Sequence, residues 1–338
     1  MKKFRGRACV ALGSWLLTTP AFGDVGAEME AEGDVGSEMS ADAEGKTEGE
    51  GEAKASGETS GATAAPAGPA LSGGEFASAT GHTGAGLSLS PAQKGRAWGE
   101  IGLSSNSSTF ALSPVLGGGY KVADNVELEV VVPLTYASFD LFLNSDSSFN
   151  FGNIYVGANV LGGSGKLKYK FGGGLGLPTS NAADFADGWA YYSAAAMRGF
   201  QDYYLWAAEM LTMNGLGRIE YGDKVVFTGD AALSVYFPIG DASNDNAFSL
   251  ALAPGVGAWL GDSALVGGRL LIWWGSNDSS PLDDHAQIGI EPYFRYQLGE
   301  SAFLNARFTL NVDEPAGFSF DDDPFRFWGF HLGGGFTF

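Results

Sequence analysis

The chain has 338 residues, of which 39 are Asp or Glu and 19 are Lys or Arg, so its formal net charge is -20. This acidic balance argues against a nucleic-acid partner, which would need a basic surface. Cys9 is the only cysteine, so no disulfide framework can hold the fold together.

Residues 1–23 have the layout of an export signal. Basic residues between Lys2 and Arg7 precede the apolar run "ACVALGSWLL", and Ala21 and Gly23 supply small side chains before the expected cleavage point. The apolar run is too short to cross a bilayer as a helix. We therefore expect an exported protein whose mature chain contains no cysteine.

Residues 24–92 are rich in Gly, Ala, Glu and Ser, and the near repeats "GDVGAEM" and "GDVGSEM" lie at residues 23–29 and 33–39. Such a segment buries too little apolar surface to offset the entropy lost on ordering. The composition predicts a disordered acidic tail, which is a spacer, a tail that attracts cations, or a solvated tail without a further role.

Period-two alternation of apolar and polar residues recurs from about residue 93 to the end. In "NVELEVVVPL", for example, Val126, Leu128 and Val130 share one face, while Glu127 and Glu129 share the other. The alternation predicts twelve strands, near residues 96–104, 111–122, 125–137, 149–161, 165–178, 213–222, 224–238, 247–260, 264–275, 286–298, 301–312 and 326–338.

The connections between these strands alternate in length. Short turns follow the even-numbered strands, and longer, mostly acidic segments follow the odd-numbered ones. This asymmetry is typical of a transmembrane barrel with tight periplasmic turns and long external loops. We predict that residues 93–338 form an all-β, 12-stranded antiparallel up-and-down barrel in the bacterial outer membrane, with lipid as a partner. The alternative, a soluble barrel with its aromatic residues inside, would place rows of Lys, Arg and Glu outside.

The last strand ends the chain on an aromatic residue. Phe330, Phe336 and Phe338 share the face predicted to meet lipid. This pattern resembles the C-terminal signature of outer-membrane barrels, which implies recognition of these three residues by the barrel-assembly machinery.

The stretch "GGGLGLPTS" at residues 172–180 follows "NVELEVVVPL" and "NIYVGANVL". Together these stretches resemble the transporter-type barrels of the MetA pathway of phenol degradation, although Ser180 stands where that family commonly has Gly. The resemblance covers about residues 96–338. It implies a transporter-type outer-membrane barrel that takes up small aromatic or hydrophobic compounds passively.

Residues 188–213 do not alternate and interrupt the strand pattern. Good helix formers at Ala194–Met197 and Leu205–Met213 predict two short helices inside the third external loop. We expect its aromatic side chains to form a lid over the pore mouth, to dip into the lumen, or only to pack the loop against the rim; these side chains are Tyr192, Phe200, Tyr203, Tyr204 and Trp206.

The polar faces of the strands predict a charged lumen. Side chains of both signs point inward, which favours either a water-filled interior or one closed by ion pairs. The predicted lumen-lining residues are Glu127, Glu129, Lys166, Lys168, Lys170, Arg218, Glu220, Asp230, Arg269, Glu291, Arg295, Arg307 and His331.

Carboxylates also crowd the predicted external loops. Oxygen-rich clusters suit divalent cations such as Ca²⁺, but no EF-hand spacing is present, so a solvated acidic surface is the alternative. The candidate ligands are Asp283, Asp284, Asp321, Asp322 and Asp323. No Ser motif accompanies His331, so we expect neither an enzyme nor a cofactor.

Three functional classes remain open at this point. The first is an outer-membrane channel or uptake barrel that passes small, aromatic or hydrophobic solutes through a polar lumen under an aromatic loop lid. The second is a structural or adhesive barrel with a closed, salt-bridged lumen and functional acidic loops. The third is an outer-membrane hydrolase, which would depend on a Ser or His that the sequence does not locate.

Overall fold

The computed structural model describes residues 94–106, 108–141, 144–239, 247–276, 286–299, 301–313, 316–317 and 326–338. The expected export signal, the acidic tail and the five candidate metal-binding aspartates lie outside these ranges. Within them, no helix combines the length and the apolar character needed to cross a bilayer.

Thirteen strand segments and one α-helix make up the described chain. The strands are β1 (Gly95–Ser105), β2 (Thr109–Ala123), β3 (Val126–Leu141), β4 (Asn144–Phe151), β5 (Ile154–Ser164), β6 (Leu167–Leu177), β7 (Met210–Gly222), β8 (Val225–Pro238), β9 (Ala247–Leu260), β10 (Ala264–Ser276), β11 (Gln287–Leu298), β12 (Ala302–Asn311) and β13 (Trp328–Thr337). The helix α1 spans Phe185–Ala196, and a 3₁₀ turn spans Tyr203–Leu205.

The strands close into a single antiparallel barrel. Apart from β4 and β5, each strand pairs with its sequence neighbours, and β1 pairs with β13 from Arg96–Thr337 to Leu103–Phe330. The segments β4 and β5 both pair with β3 and form one strand broken at Gly152. The thirteen segments therefore occupy twelve strand positions around the barrel, which confirms the predicted 12-stranded barrel.

The outer surface of the barrel is apolar. Large hydrophobic side chains along the strands are strongly exposed, including Leu116 at 55%, Phe227 at 59% and Leu332 at 57%. Charged side chains on the alternate positions are buried inside. This distribution is the reverse of a water-soluble barrel and suits a wall that faces lipid.

The C-terminal strand follows the same pattern. Phe330, Phe336 and Phe338 are all exposed on the outside, and the Phe338 carbonyl accepts hydrogen bonds from the amides of Lys94 and Gly95 at 2.8 and 3.0 Å. These bonds seal the end of the β1–β13 seam. Recognition of the three rings by the assembly machinery stays a prediction.

One sequence-based element was wrong. Leu205–Met213 does not form a helix, because Met210, Leu211 and Met213 belong to β7 and pair with β8. The hydrogen-bond ladder of the barrel outweighs the local helix propensity of these residues.

Candidate functional site: a charged lumen filled by an inserted segment

Residues 178–209, which connect β6 to β7, fold into the barrel; we call them the inserted segment. Asp184 caps α1 by accepting a hydrogen bond from the amide of Asp187 at 3.0 Å. Ten of the twelve residues of α1 are buried, on every side of the helix. A helix buried all round must lie among other elements, and here those elements are the walls of the barrel.

The N-terminal end of α1 is attached to β4. The Asp187 carboxylate accepts hydrogen bonds from Ser148 and, at 2.9 Å, from Asn150. Burial by itself would raise the pKa of Asp187, but these hydrogen bonds and those from nearby backbone amides lower the pKa below its ordinary value. The carboxylate therefore stays charged and anchors the helix near neutral pH.

Asn153 joins the two ends of the inserted segment. Its Nδ2 donates to the Ala207 carbonyl at 2.6 Å, and its Oδ1 accepts from the Ser180 hydroxyl at 2.6 Å. The segment consequently enters and leaves the wall at one narrow neck.

The turn after α1 contacts the opposite wall. Arg198 Nη1 lies 2.6 Å from Glu100 Oε1, and Arg198 Nη2 donates to the Ser113 carbonyl at 3.0 Å. His331 Nε2 hydrogen-bonds the Met197 carbonyl at 3.0 Å. We therefore assign His331, an expected lumen residue, a role in holding the inserted segment.

Gly329 makes room for this contact. A Cβ atom at Gly329 would lie 2.0 Å from the Met197 carbonyl oxygen, which no side chain can tolerate. The wall therefore needs glycine where the backbone of the inserted segment comes closest.

Replacing this glycine by alanine should dislodge the turn. In Gly329→Ala we expect trypsin to cut after Arg198, which is otherwise 1% exposed, at a rate at least tenfold above the original chain. Gly229→Ala is the matched control, since a Cβ there meets nothing within 4 Å. Equal protection in both variants would contradict the close packing.

Aromatic side chains fill the space around the turn. Phe200 packs on Trp273 with ring centroids 5.3 Å apart, and Tyr203 lies 5.6 Å from both Tyr236 and Trp273. Burial raises the pKa of Tyr203 to about 12, so its ring is neutral. Of the five expected lid residues, Tyr192, Phe200, Tyr204 and Trp206 are buried inside the barrel and Tyr203 is partly buried there.

A chain of ion pairs runs around the lumen wall. Carboxylates and guanidinium groups alternate across β7, β8, β10, β11, β12 and β1, and the groups between the two ends of the chain each join two neighbours. The links are Glu220–Arg218, Arg218–Asp230 at 3.5 Å, Asp230–Arg269 at 2.7 Å, Arg269–Glu291 at 2.6 Å, Glu291–Arg307 at 2.6 Å, and Arg307–Glu100, with Arg307 Nε donating to Glu100 Oε2 at 2.9 Å.

A second cluster occupies the wall between β1 and β6. Arg96 pairs with Glu127, Lys170 Nζ lies 2.9 Å from Glu129 Oε2, and Asn159 donates to the same oxygen at 2.9 Å. Both charge signs are thus compensated on this side as well.

The sequence-based list of lumen residues differs from the structure at one position and missed several buried charged residues. Lys166 was expected to point inward, but it lies in the turn before β6, where it pairs with Asp223 at 2.6 Å and is 58% exposed. Lys168 is partly exposed, and the remaining expected residues are buried inside the barrel or, for Lys170, nearly so. Arg96 and Glu100 on β1 and Arg198 on the inserted segment were not predicted, although the even-numbered face of β1 carries a readable polar pattern.

A metal centre finds no support in the described ranges, where no group of three or more His, Cys, Asp or Glu residues comes together. The aspartates proposed for Ca²⁺ lie outside those ranges, so that expectation stays a prediction.

Comparisons with known proteins address the fold. An outer-membrane channel from Pseudomonas putida F1 superposes with a TM-score of 0.52 and 10% identity, covering 75% of this chain and 97% of that one. The NanC porin gives a TM-score of 0.44 with 8% identity, covering 72% of this chain and 100% of the porin. No protein-family model and no curated protein matches the sequence. The superposition on the Pseudomonas putida structure shows that the chain has the fold of an outer-membrane β-barrel. Membership of the MetA-pathway family stays a prediction.

Proposed function

We propose that this protein is a passive outer-membrane channel for small solutes and that the inserted segment closes it in the present conformation. The observation that carries the proposal is the narrow neck at Asn153, where the two ends of the inserted segment meet. Because of this neck, the inserted segment enters the lumen as a single loop. Wall side chains alone fill a barrel of about eight strands, so a barrel of twelve strands is wide enough to hold a lumen once this loop has left it.

The inserted segment can leave the barrel without leaving the buried carboxylate of Glu100 unpaired. Glu100 pairs with Arg198 of the inserted segment and also with Arg307 of the wall. When Arg198 moves away, Glu100 keeps a partner, and a buried carboxylate without a partner would be costly. The closed state is therefore held by contacts that can be released.

The solute class follows from the resemblance to the MetA-pathway barrels and from the aromatic residues of the inserted segment. We propose small aromatic or hydrophobic compounds, with the aromatic residues acting as an internal gate. The outer-membrane location, the export signal, the assembly machinery as a partner and cations at the acidic loops belong to the same proposal.

A closed structural barrel is the second candidate, and the chain of buried ion pairs favours it. Such pairs hold neighbouring strands in register and leave few charges available to solutes. The two candidates differ in whether the lumen ever conducts.

Arg198→Gln tests the channel in planar bilayers. The change removes the charge that ties the inserted segment to Glu100, so we expect the fraction of time spent conducting to rise at least fivefold over the original chain. Lys166→Gln removes an exposed charge away from the segment and should change nothing. Silence of the correctly folded variant under all voltages would favour the structural barrel.

A further inference from the structure

Three wall residues form a seat for the rings of the inserted segment; we call Tyr236 on β8, Ser249 on β9 and Trp273 on β10 the aromatic seat. Phe200 lies over Trp273 at an interplanar angle of 34°, and Tyr203 meets Tyr236 and Trp273 edge to face. The edge-to-face contacts of Tyr203 are an arrangement that aromatic pairs prefer. The Phe200 side chain in the seat is equivalent to a toluene molecule, and the Tyr203 side chain is equivalent to 4-methylphenol.

The seat also offers polar groups to a ligand. The hydroxyls of Tyr236 and Ser249 hydrogen-bond each other at 2.7 Å. Trp273 is 3% exposed, and its Nε1 has no hydrogen-bond partner among the described residues. A buried donor without an acceptor is unfavourable, so a solute whose oxygen reached Nε1, as the Tyr203 hydroxyl does not, would gain a hydrogen bond.

The backbone of the occupying turn is strained. Phe200 has a φ of +58°, a left-handed conformation that costs energy for any residue with a Cβ, and Gly199 before it has a φ of +61°. Docking of the ring maintains this conformation, so withdrawal from the seat relieves strain.

We propose that a small neutral aromatic solute opens the channel by taking the places of Phe200 and Tyr203 in the aromatic seat. The solute binds only the withdrawn state, so its presence shifts the population toward the open barrel. The wall rings remain covered, and Glu100 remains paired with Arg307. This inference rests on the proposed function, because it assigns that channel a ligand-operated gate.

The test is a titration of the full-length protein with 4-methylphenol, using trypsin cleavage after Arg198 and bilayer conductance as readouts. Both should rise with the phenol and not with 4-methylcyclohexanol, which has similar size but no aromatic ring. Equal responses to the two compounds would overturn the proposal.

Two substitutions should shift the titration midpoint in opposite directions. Trp273→Leu removes the seat and should raise the midpoint concentration at least tenfold, whereas Phe200→Leu weakens the competing ring and should lower it severalfold. Trp274→Leu is the matched control, since that neighbouring residue packs on Phe248 on the outer face of the barrel. Shifts of the same sign in Trp273→Leu and Phe200→Leu would contradict competition for one site.

Failure of this inference is distinguishable from failure of the proposed function. If a barrel lacking the inserted segment conducts but the phenol leaves the intact chain closed, the channel stands and the ligand-operated gate is overturned. If the phenol exposes Arg198 to trypsin with the predicted opposite shifts, the seat is supported even in a barrel that never conducts.

Discussion

Removing most of the inserted segment should convert the closed barrel into a steadily conducting one. Replacing residues 182–206 by three glycines is compatible with the fold because Ser180 Oγ already lies 3.2 Å from the Ala207 carbonyl oxygen. The replacement takes away α1, Arg198 and the aromatic rings while leaving all strands intact. We expect single-channel conductance in planar bilayers to rise at least tenfold over the original chain.

The matched control inserts the same three glycines after Asp262, in the exposed turn between β9 and β10. This variant keeps the inserted segment and should stay closed. If the shortened barrel folds, as judged by β-sheet circular dichroism, and still does not conduct, the wall side chains themselves close the lumen and the channel proposal fails.

Removing Arg307 should cause the largest loss of stability among single substitutions in the wall. Its guanidinium group bridges Glu100 and Glu291, both of which are buried. Arg307→Ala leaves each of these carboxylates with one guanidinium instead of two, Arg198 for Glu100 and Arg269 for Glu291. Because breaking a buried pair outright costs about 3–5 kcal/mol, that range is the upper bound for this variant. The urea midpoint of the refolded barrel, followed by tryptophan fluorescence, should fall accordingly.

Lys166→Ala serves as the comparison because it removes a pair that is largely exposed and should leave the midpoint unchanged. Arg307→Lys keeps the positive charge but loses the planar guanidinium group that reaches both carboxylates. Its midpoint should therefore lie between that of Arg307→Ala and that of the original chain. Identical midpoints for Arg307→Ala and the original chain would show that the ion pairs of Arg307 contribute no net stability to the barrel.

Period-two alternation determined the strands, their faces and the barrel without any structure. The reason is physical, since successive side chains of a strand point to opposite sides and a lipid-facing wall needs one apolar side throughout. Glu127 and Glu129 were thus predicted inside, and Phe336 and Phe338 outside, where the structure places them.

Local composition failed where tertiary contacts overrule it. Met210 and Leu211 are good helix formers, yet they pair with Pro238 and Phe237 of β8. Lys166 continues the alternation of Lys168 and Lys170, but it lies in a turn, and the alternation of side chains between two faces holds only within a strand.

Only the tertiary structure decided which charges meet and where the inserted segment lies. Arg307 and Glu100 are separated by 207 residues and come together because β13 lies between β12 and β1 in the closed barrel. An aromatic loop has the same composition whether it covers the mouth or enters the lumen. Its position depends on surfaces supplied by distant strands, such as Gly329 beneath Met197 and Trp273 beneath Phe200, and no local pattern in the sequence encodes that match.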